Sequence, residues 1–250
     1  MTHVATRFAA LLAAVVVTAS MAACGEINVS IGNSETIDGS GVLASETYDL
    51  TDFDTVEVSN AFAVSVTAAE SYEVVVTADD NLLESLEVEV RGSTLVIGLA
   101  PDVRANDATL GASVAMPALV GVTASGASRV SFTGFGVVDR FDVEISGASR
   151  VDGAIDAGLL VAELSGATRV QLAGTATEAR LEASGASSFE LADLEIQTAE
   201  VHLSGASNAD LVVLEELGPV ELSGASELVF GGGATLRDVE SSGGSRLSER

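Results

Sequence analysis

A four-residue motif, Ser-Gly-Ala-Ser, recurs at nearly constant spacing along the second half of the chain. Its leading serines are separated by 21, 19, 19, 20, 19 and 19 residues. A repeat of about 20 residues with so little drift is typical of a solenoid, in which each repeat forms one coil and packs on its neighbours. The seven copies, with Thr in the fourth place of the third and Gly in the third place of the last, begin at Ser125, Ser146, Ser165, Ser184, Ser204, Ser223 and Ser242.

Apolar residues flank each copy of the motif at alternate positions. In the third copy, Ala162 and Leu164 come before the motif, and Val170 and Leu172 follow it. A period of two predicts half-buried strands on both sides of the motif, and no helical period of 3.6 residues is visible. The motif itself is predicted to be a corner, because glycine adopts positive φ and serine hydrogen-bonds its own backbone. A row of serine nucleophiles is the alternative, but a serine nucleophile is a single residue with an adjacent base.

The first third of the domain follows the same pattern. The segment Val56–Val66 has the same apolar spacing, and Asn60 replaces the glycine of the motif. Asparagine is the other residue that tolerates positive φ. The remaining predicted elements are strands at Tyr72–Thr77, Leu86–Val90, Thr94–Leu99 and Ser113–Met116, a capped helical turn at Asp79–Glu84 and a polar loop at Pro101–Leu110.

These segments together resemble the GIN-domain family, which is described as the "putative auto-transporter adhesin head domain". The resemblance covers about Tyr48 to the C-terminus, so residues 48–250 are predicted to form one domain. It implies an all-β fold, a right-handed parallel β-solenoid with coils of about 20 residues, on a secreted or envelope-attached protein. It supplies no active-site residues. The residues that carry it, besides the repeats, are Phe53–Ser59, Ala61–Val66, Val76–Leu83, Gly92–Ile97 and Met116–Leu119.

The N-terminus predicts export and lipid attachment. Residues 1–23 contain Arg7, a short apolar run and small residues before Cys24, as in a secretory signal peptide. Cys24 is the only cysteine, and its setting resembles the bacterial lipobox, so it is the predicted lipidation site. An ordinary signal peptide with an incidental thiol is the alternative. Gly25, in place of an aspartate, favours the outer membrane where a cell has one, and residues 24–47 are predicted to form a flexible tether.

The charge of the chain excludes several classes of partner. It has 37 acidic residues against 11 basic ones, all of them arginine, which gives a formal net charge of −26. Such a surface repels nucleic acid and anionic lipid headgroups and attracts cations, including divalent ones.

Two charged positions recur beside the motif and should form outward-facing columns. The bland interpretation is two solvated faces that partly neutralise each other and discourage aggregation. The sharper one is a row that binds cations, or a strip of arginines that grips carboxylates or sulfates. The predicted cation row is Glu144, Glu163 and Glu182, two residues before the motif. The predicted contact strip is Arg129, Arg150 and Arg169, four residues after the leading serine.

An enzyme is the weaker hypothesis, although several parallel β-solenoids are polysaccharide lyases or hydrolases. Their chemistry needs clustered carboxylates, and this chain offers Asp152 beside Arg150 and Arg169, with Asp210 further on. It has no tryptophan and two tyrosines with which to line a sugar cleft. The sequence therefore predicts no catalytic residue, metal site or cofactor. It predicts a non-catalytic envelope lipoprotein that contacts an unknown envelope or extracellular partner. The alternatives are a structural element that stacks through its coil ends, and a polysaccharide lyase or hydrolase.

Overall fold

In the computed structural model, which describes residues 35–250, the chain winds into parallel coils that stack in register. Each long strand pairs in parallel with the strand one repeat later, as Val151 does with Val170 and Val170 with Phe189. The coils make a β-solenoid of about seven turns, which confirms the predicted all-β, parallel architecture. The predicted signal peptide, Cys24 and the first part of the predicted tether lie outside the described residues.

The strands divide into an N-terminal group of mixed direction and a C-terminal group of parallel coils. The first group is β1 Glu35–Asp38, β2 Leu43–Tyr48, β3 Thr55–Val58, β4 Ala63–Ala68, β5 Glu73–Asp79, β6 Leu86–Arg91, β7 Thr94–Leu99, β8 Val103–Asn106 and β9 Leu110–Met116. The second is β10 Gly121–Ala124, β11 Arg129–Thr133, β12 Val138–Ile145, β13 Arg150–Leu164, β14 Arg169–Ala183, β15 Ser188–Leu203, β16 Asn208–Leu222, β17 Glu227–Gly231, β18 Thr235–Leu236, β19 Val239–Ser241 and β20 Arg246–Glu249.

Each Ser-Gly-Ala-Ser motif forms a tight corner between two strands, as predicted. Gly185 has φ of +77°, a left-handed value that glycine adopts without a Cβ clash, and Asn60 adopts φ of 57° at the early corner. The backbone N–H of Ala186 donates to the carbonyl of Gly166 in the coil before, at 2.7 Å. The fourth residue of the motif points inward, and the Ser187 hydroxyl donates to the Ser184 carbonyl at 2.8 Å. The corner is therefore closed by local hydrogen bonds and stacked by a ladder between coils.

The rest of each coil is a strand that bends where the alternation of buried residues is interrupted. In β15 the alternation of buried residues breaks at residues 192–193 and again at residues 197–198, and the strand bends at both places. The motif supplies the third corner, so this coil has three sides. The buried residues of its three sides are Phe189 and Leu191, then Leu194 and Ile196, then Ala199, Val201 and Leu203. These stacked apolar residues form one continuous core along the axis of the solenoid.

One break in the apolar columns has a packing explanation. Gly153 stands where most other coils have Leu or Phe, and its neighbour in the stack is Phe132. A Cβ built on Gly153 would collide with the ring of Phe132, which fills the space and contacts Phe141 with ring centroids 5.3 Å apart. The ring of Phe132 thus fills core space in its own coil and in the coil that contains Gly153.

The N-terminal group differs from the regular coils because it contains antiparallel pairs. Strand β5 lies between β2 and β9 and is antiparallel to both, and β6 is antiparallel to β7. The strands predicted at 72–77, 86–90, 94–99 and 113–116 are confirmed within one or two residues at most ends, and the last is part of the longer β9. Strands β3 and β4 pair with β10 and β11, so the early segment does form a coil of the solenoid.

Three predictions in this group were wrong. Residues 35–47, predicted as tether, contain β1 and most of β2, because their backbone pairs with β8 and β5. The loop 101–110 contains β8 for the same reason. The helical turn is a 3-10 helix, Asp80–Ser85, but Asp79 does not cap it. The Asp79 carboxylate turns away and accepts the backbone N–H groups of Gly41 and Thr109 instead.

Candidate functional site

A column of carboxylates runs along one outer face of the solenoid, two residues before each corner. We call it the carboxylate column. Its members are directly opposite one another in the parallel register, as Glu144, Glu163 and Glu182 show. Neighbouring strands lie about 4.8 Å apart, so the column repeats at that spacing. Its full length is Glu57, Thr123, Glu144, Glu163, Glu182, His202, Glu221 and Glu240.

Shallow depressions follow this column. One of about 130 Å³ lies between Glu144, Glu163 and Glu182 and the leading serines of the adjoining corners, including Ser165 and Ser184. Another, of about 240 Å³, is lined by Glu163, Glu182 and His202 together with Arg180 and Glu200, and a third, of about 270 Å³, lies beside Glu221 and Glu240. Carboxylates and hydroxyls thus share the walls of one interrupted groove. Such walls accept hydrogen bonds from ammonium, guanidinium or sugar hydroxyl groups.

Most of the carboxylate column has no countercharge. Among residues 35–250, Glu221 lies 3.3 Å from the Nδ1 atom of His202, a contact that is an ion pair only when the imidazole is protonated, and Glu144, Glu163 and Glu182 have no ion pair. Cations do stand nearby, since Arg180 pairs with Glu178 at 2.7 Å and Arg140 with Asp142 at 2.6 Å. These guanidiniums are paired with acids outside the carboxylate column, and Arg180 also lies 3.7 Å from Glu200 of the next strand. The hydrogen bonds that Arg140 donates to Asp142 raise the pKa of Arg140 above its ordinary value, so this arginine stays charged.

The arginine column lies on the other side of the corner, and two of its three predicted contact residues form ion pairs with acids of the same face. Arg129, Arg150 and Arg169 are opposite one another in register, as predicted. Arg150 grips Asp152 through two nitrogens, at 2.7 and 2.8 Å, and also donates to Gln171 at 3.0 Å. The hydrogen bond to Asp152 raises the pKa of Arg150.

The next arginine in the column is paired as well. Arg169 forms an ion pair with Glu190 of the following coil, whereas no ion pair is recorded for Arg129 within the described part of the chain. The two columns therefore do not neutralise each other, which corrects the bland interpretation above. Two members of the predicted contact strip already hold carboxylates.

Asp152 and Asp210, the carboxylates named for the enzyme hypothesis, lie too far apart to act together as a glycosidase pair. Asp152, Gln171, Glu190 and Asp210 follow one another along a single column. Asp152 and Asp210 are thus three strand spacings apart, roughly 14 Å. Glycosidase carboxylates stand about 5 to 9.5 Å apart. Asp152 is paired with Arg150, and Asp210 with Arg250 at 2.5 Å, so each is an ion-pair partner in this structure.

The part of the chain that the structure describes contains neither a metal-binding cluster nor a membrane-spanning helix. No three side chains of His, Cys, Asp or Glu between residues 35 and 250 converge closely enough to hold a metal ion. Over the same residues, no helix has the length and apolar character that a bilayer span requires. The cation row at Glu144, Glu163 and Glu182 stays a prediction.

The sequence predicts both columns, but it does not predict which of them is paired with countercharges. Asp152 and Glu190 each lie two residues beyond a position of the arginine column, Arg150 and Ser188, and this spacing was the available signal for ion pairing on that face. The depressions had no signal in the sequence.

Fold and surface together define a class: an elongated β-solenoid that presents straight, repeated polar faces. Comparison with known proteins places it further. The sequence model of the family described as "Putative auto-transporter adhesin, head GIN domain" matches residues 52–234. The chain belongs to this family, as its sequence motifs predicted. No curated protein matches the chain in sequence.

Solved structures share the fold at low identity. A crystal structure described as a "putative adhesin" from Bacteroides fragilis has a TM-score of 0.78 at 20% identity, and it covers 86% of this chain and 100% of its own. A "putative lipid binding protein" from Parabacteroides distasonis has a TM-score of 0.68 at 17% identity, with the same coverage. A "putative adhesin" from Parabacteroides merdae has a TM-score of 0.65 at 14% identity, covering 86% of this chain and 99% of its own.

Proposed function

We propose that this protein is a non-catalytic, lipid-anchored module of the cell envelope that contacts another surface molecule through the carboxylate column. The family is one of adhesin-like domains, which supports a surface-interaction role. The observation that carries the choice of face is the difference in charge compensation. On the face of the arginine column, the acids form ion pairs with arginines. Among the described residues, Glu144, Glu163 and Glu182 form no ion pair.

The geometry favours a long partner with repeated cationic or hydroxyl groups. A solenoid presents a rigid face on which weak contacts add up by avidity. The groove along the carboxylate column offers an acceptor in most coils, beside the serines of the corners. Uncompensated carboxylates also attract such a partner at long range, an effect that salt screens.

Binding of the purified chain to isolated envelope fractions and their polysaccharides tests this proposal. Replacing Glu144, Glu163 and Glu182 by Gln should weaken binding at least about tenfold, since about 1.4 kcal/mol of lost contact gives that factor. A matched control removes three exposed acids from another face by Asp193→Asn, Glu195→Gln and Glu215→Gln. Equal losses of binding in both variants would show that net charge determines binding, and would contradict contact through the carboxylate column.

A third variant in the same experiment tests the predicted contact strip. Reversing Arg129, Arg150 and Arg169 to Glu should leave binding largely intact, because two of the three already hold carboxylates. Loss of binding in this variant alone would move the contact to the strip.

Attachment through Cys24 is tested separately by fractionation. Cys24→Ser should release the protein from the membrane fraction while the secreted chain stays folded. Retention of the substituted protein with the membrane would show that the anchor lies elsewhere. Degradation of a polysaccharide by the purified chain, if Asp152→Asn abolished it, would instead support the hypothesis of a polysaccharide lyase or hydrolase.

A further inference from the structure

Strand β5 is an interior strand only because β2 covers it. One edge of β5 pairs with β9, and the other pairs antiparallel with β2 over six residue pairs, from Leu43 with Asp79 to Tyr48 with Val74. Within the described residues, β2 pairs with no other strand. Without β2, the edge of a Val-Val-Val-Thr-Ala segment would be open. Exposed β-branched edges of this kind recruit other strands.

Side-chain packing holds β2 only weakly. Four of its six residues are exposed, and Leu43 is 56% exposed. Ala44 and Tyr48 are half-buried, and Ser45 contacts the hydroxyl of Thr77 at 2.8 Å. The backbone ladder therefore provides most of the attachment, and a ladder can be formed equally well between two chains.

A polar clasp fixes the start of β2. Asp79 is only 1% exposed, and its two carboxylate oxygens accept the N–H groups of Gly41, at 2.6 Å, and Thr109, at 2.7 Å. Ser40 donates its hydroxyl to Asp80 at 2.5 Å and its N–H to the side chain of Asn81 at 3.1 Å. The clasp recognises residues 40 and 41 of this chain, so it selects this segment over an unrelated strand.

A hinge follows β2. Asp49, Thr51 and Asp52 are exposed, and Asp52 adopts φ of 63°. The chain re-enters the core at Phe53, which is 1% exposed, and Asp54 then donates its N–H to the carbonyl of Ser93. Residues 35–48 can leave as one unit that turns about residues 49–52, and this opening also separates β1 from β8 and withdraws Ile37 from the core.

We propose that the edge of β5 is a strand-acceptor site whose second occupant is β2 of another copy of this chain, giving a strand-exchanged dimer. The second copy supplies the same register, the same Ser45–Thr77 contact, the same clasp residues and the same β1 to pair with β8, so no contact is lost in the exchange. Domain swapping of this kind needs only that the closed strand opens and that the hinge spans two subunits. The dimer would carry two carboxylate columns, but the inference does not depend on the proposed partner.

The clasp and the hinge have different roles. Because the clasp re-forms in the dimer, breaking it lowers the barrier to opening and leaves the monomer–dimer balance unchanged. Shortening the hinge does shift the balance, because β2 can then no longer fold back onto its own β5.

A cross-link reports which β5 holds each β2. With Cys24→Ser removing the native thiol, Ser45→Cys and Thr77→Cys place a disulfide across β2 and β5. It lies within one chain in the monomer and between two chains in the exchanged dimer. Tagged and untagged chains are mixed in the reduced state, and samples are oxidised after different times. Non-reducing electrophoresis of these samples gives the exchange rate.

We expect Asp79→Ala to speed the appearance of cross-linked dimer by on the order of tenfold for each hydrogen bond to the carboxylate that is lost. Asp156→Ala, which removes an exposed acid elsewhere, should leave the rate unchanged. Deletion of Thr51 and Asp52 should convert most of the chain to cross-linked dimer. This deletion keeps the proposal testable should the Asp79 variant fail to fold.

Three results would overturn the proposal. One is a folded, hinge-shortened chain that remains a monomer with an intrachain disulfide. Another is a dimer, seen by light scattering, that lacks the interchain disulfide, since the accepted strand would then not be β2. The third is an exchange rate that does not respond to Asp79→Ala.

Discussion

Replacing the corner glycine Gly185 by alanine should destabilise the solenoid through two separable effects. The first is backbone strain, because Gly185 has φ of +77° and a left-handed conformation costs other residues about 1–2 kcal/mol. The second is a collision, because the new Cβ would meet the carbonyl oxygen of Gly166 in the stacked coil and lie 3.1 Å from its nitrogen. That same carbonyl accepts the N–H of Ala186 at 2.7 Å, so the ladder between coils would have to shift.

Two other glycines separate these effects. Gly92 has φ of +67° but no atom within 4 Å of a built Cβ, so Gly92→Ala should cost the strain alone, about 1–2 kcal/mol. Gly136 has open space and no positive φ, so Gly136→Ala should be neutral or stabilising by roughly 0.4–1 kcal/mol. For Gly185→Ala we expect strain plus an overpacking cost of about 1–3 kcal/mol, a total of roughly 2–5 kcal/mol.

Thermal melts followed by circular dichroism measure the three variants. At about 2–4 °C per kcal/mol for a chain of this size, Gly185→Ala should lower the Tm by roughly 4–20 °C and Gly92→Ala by roughly 2–8 °C. The ranking matters more than the values, because both variants carry the same change of residue. A Gly185→Ala chain no less stable than Gly92→Ala would refute the close stacking of corners, and one as stable as Gly136→Ala would refute the left-handed corner as well.

The remaining predictions concern packing, charge and pH. Gly153→Leu should destabilise the fold by about 1–3 kcal/mol in urea unfolding, because Phe132 fills its space, and adding Phe132→Ala should recover part of the loss. An unchanged or additive double variant would contradict that packing. Glu163→Gln should raise the Tm at low salt and reduce its dependence on salt, because it removes repulsion along the carboxylate column; melts insensitive to salt would show a simply solvated face. Burial, the hydrogen bond that Tyr48 donates to Glu46 and the charge of that carboxylate raise the pKa of Tyr48 to about 12. The neutral phenol is thus favoured on folding, and its stabilising effect is present below about pH 10 and lost as the pH rises through 12; ultraviolet titration should show a late phenolate step that Tyr48→Phe removes, and a single step near pH 10 would contradict it.

The solenoid could be predicted because each coil repeats the same local instructions. A glycine in each Ser-Gly-Ala-Ser corner and apolar residues at alternate positions fix both that bend and the inward face, and repetition makes each signal redundant. The N-terminal group lacks that redundancy. Strands β1 and β8 are four residues each, carry Asp38, Arg104 and Asn106, and become strands only through pairing with each other. Their polar composition favours a loop until the partner is known.

The candidate site was predictable in position but not in electrostatic character. A constant offset from the motif is enough to place Glu163 and Arg150 on outward columns. Whether a charge is compensated depends on side-chain reach between columns and coils, as when Arg169 meets Glu190 of the next coil. Asp79 shows the same limit, because its sequence position suits a helix cap and its actual hydrogen-bond partners lie 38 and 30 residues away.

Site-specific photo-cross-linking in intact cells tests the central claim, contact through the carboxylate column, most directly. A photoreactive residue at Glu163, on the column, is compared with one at Gln171, on the arginine side of the corner. We predict a discrete adduct with an envelope or extracellular molecule from position 163, and little or none from position 171. An adduct from position 171 alone, or equal adducts from both positions, would contradict the account.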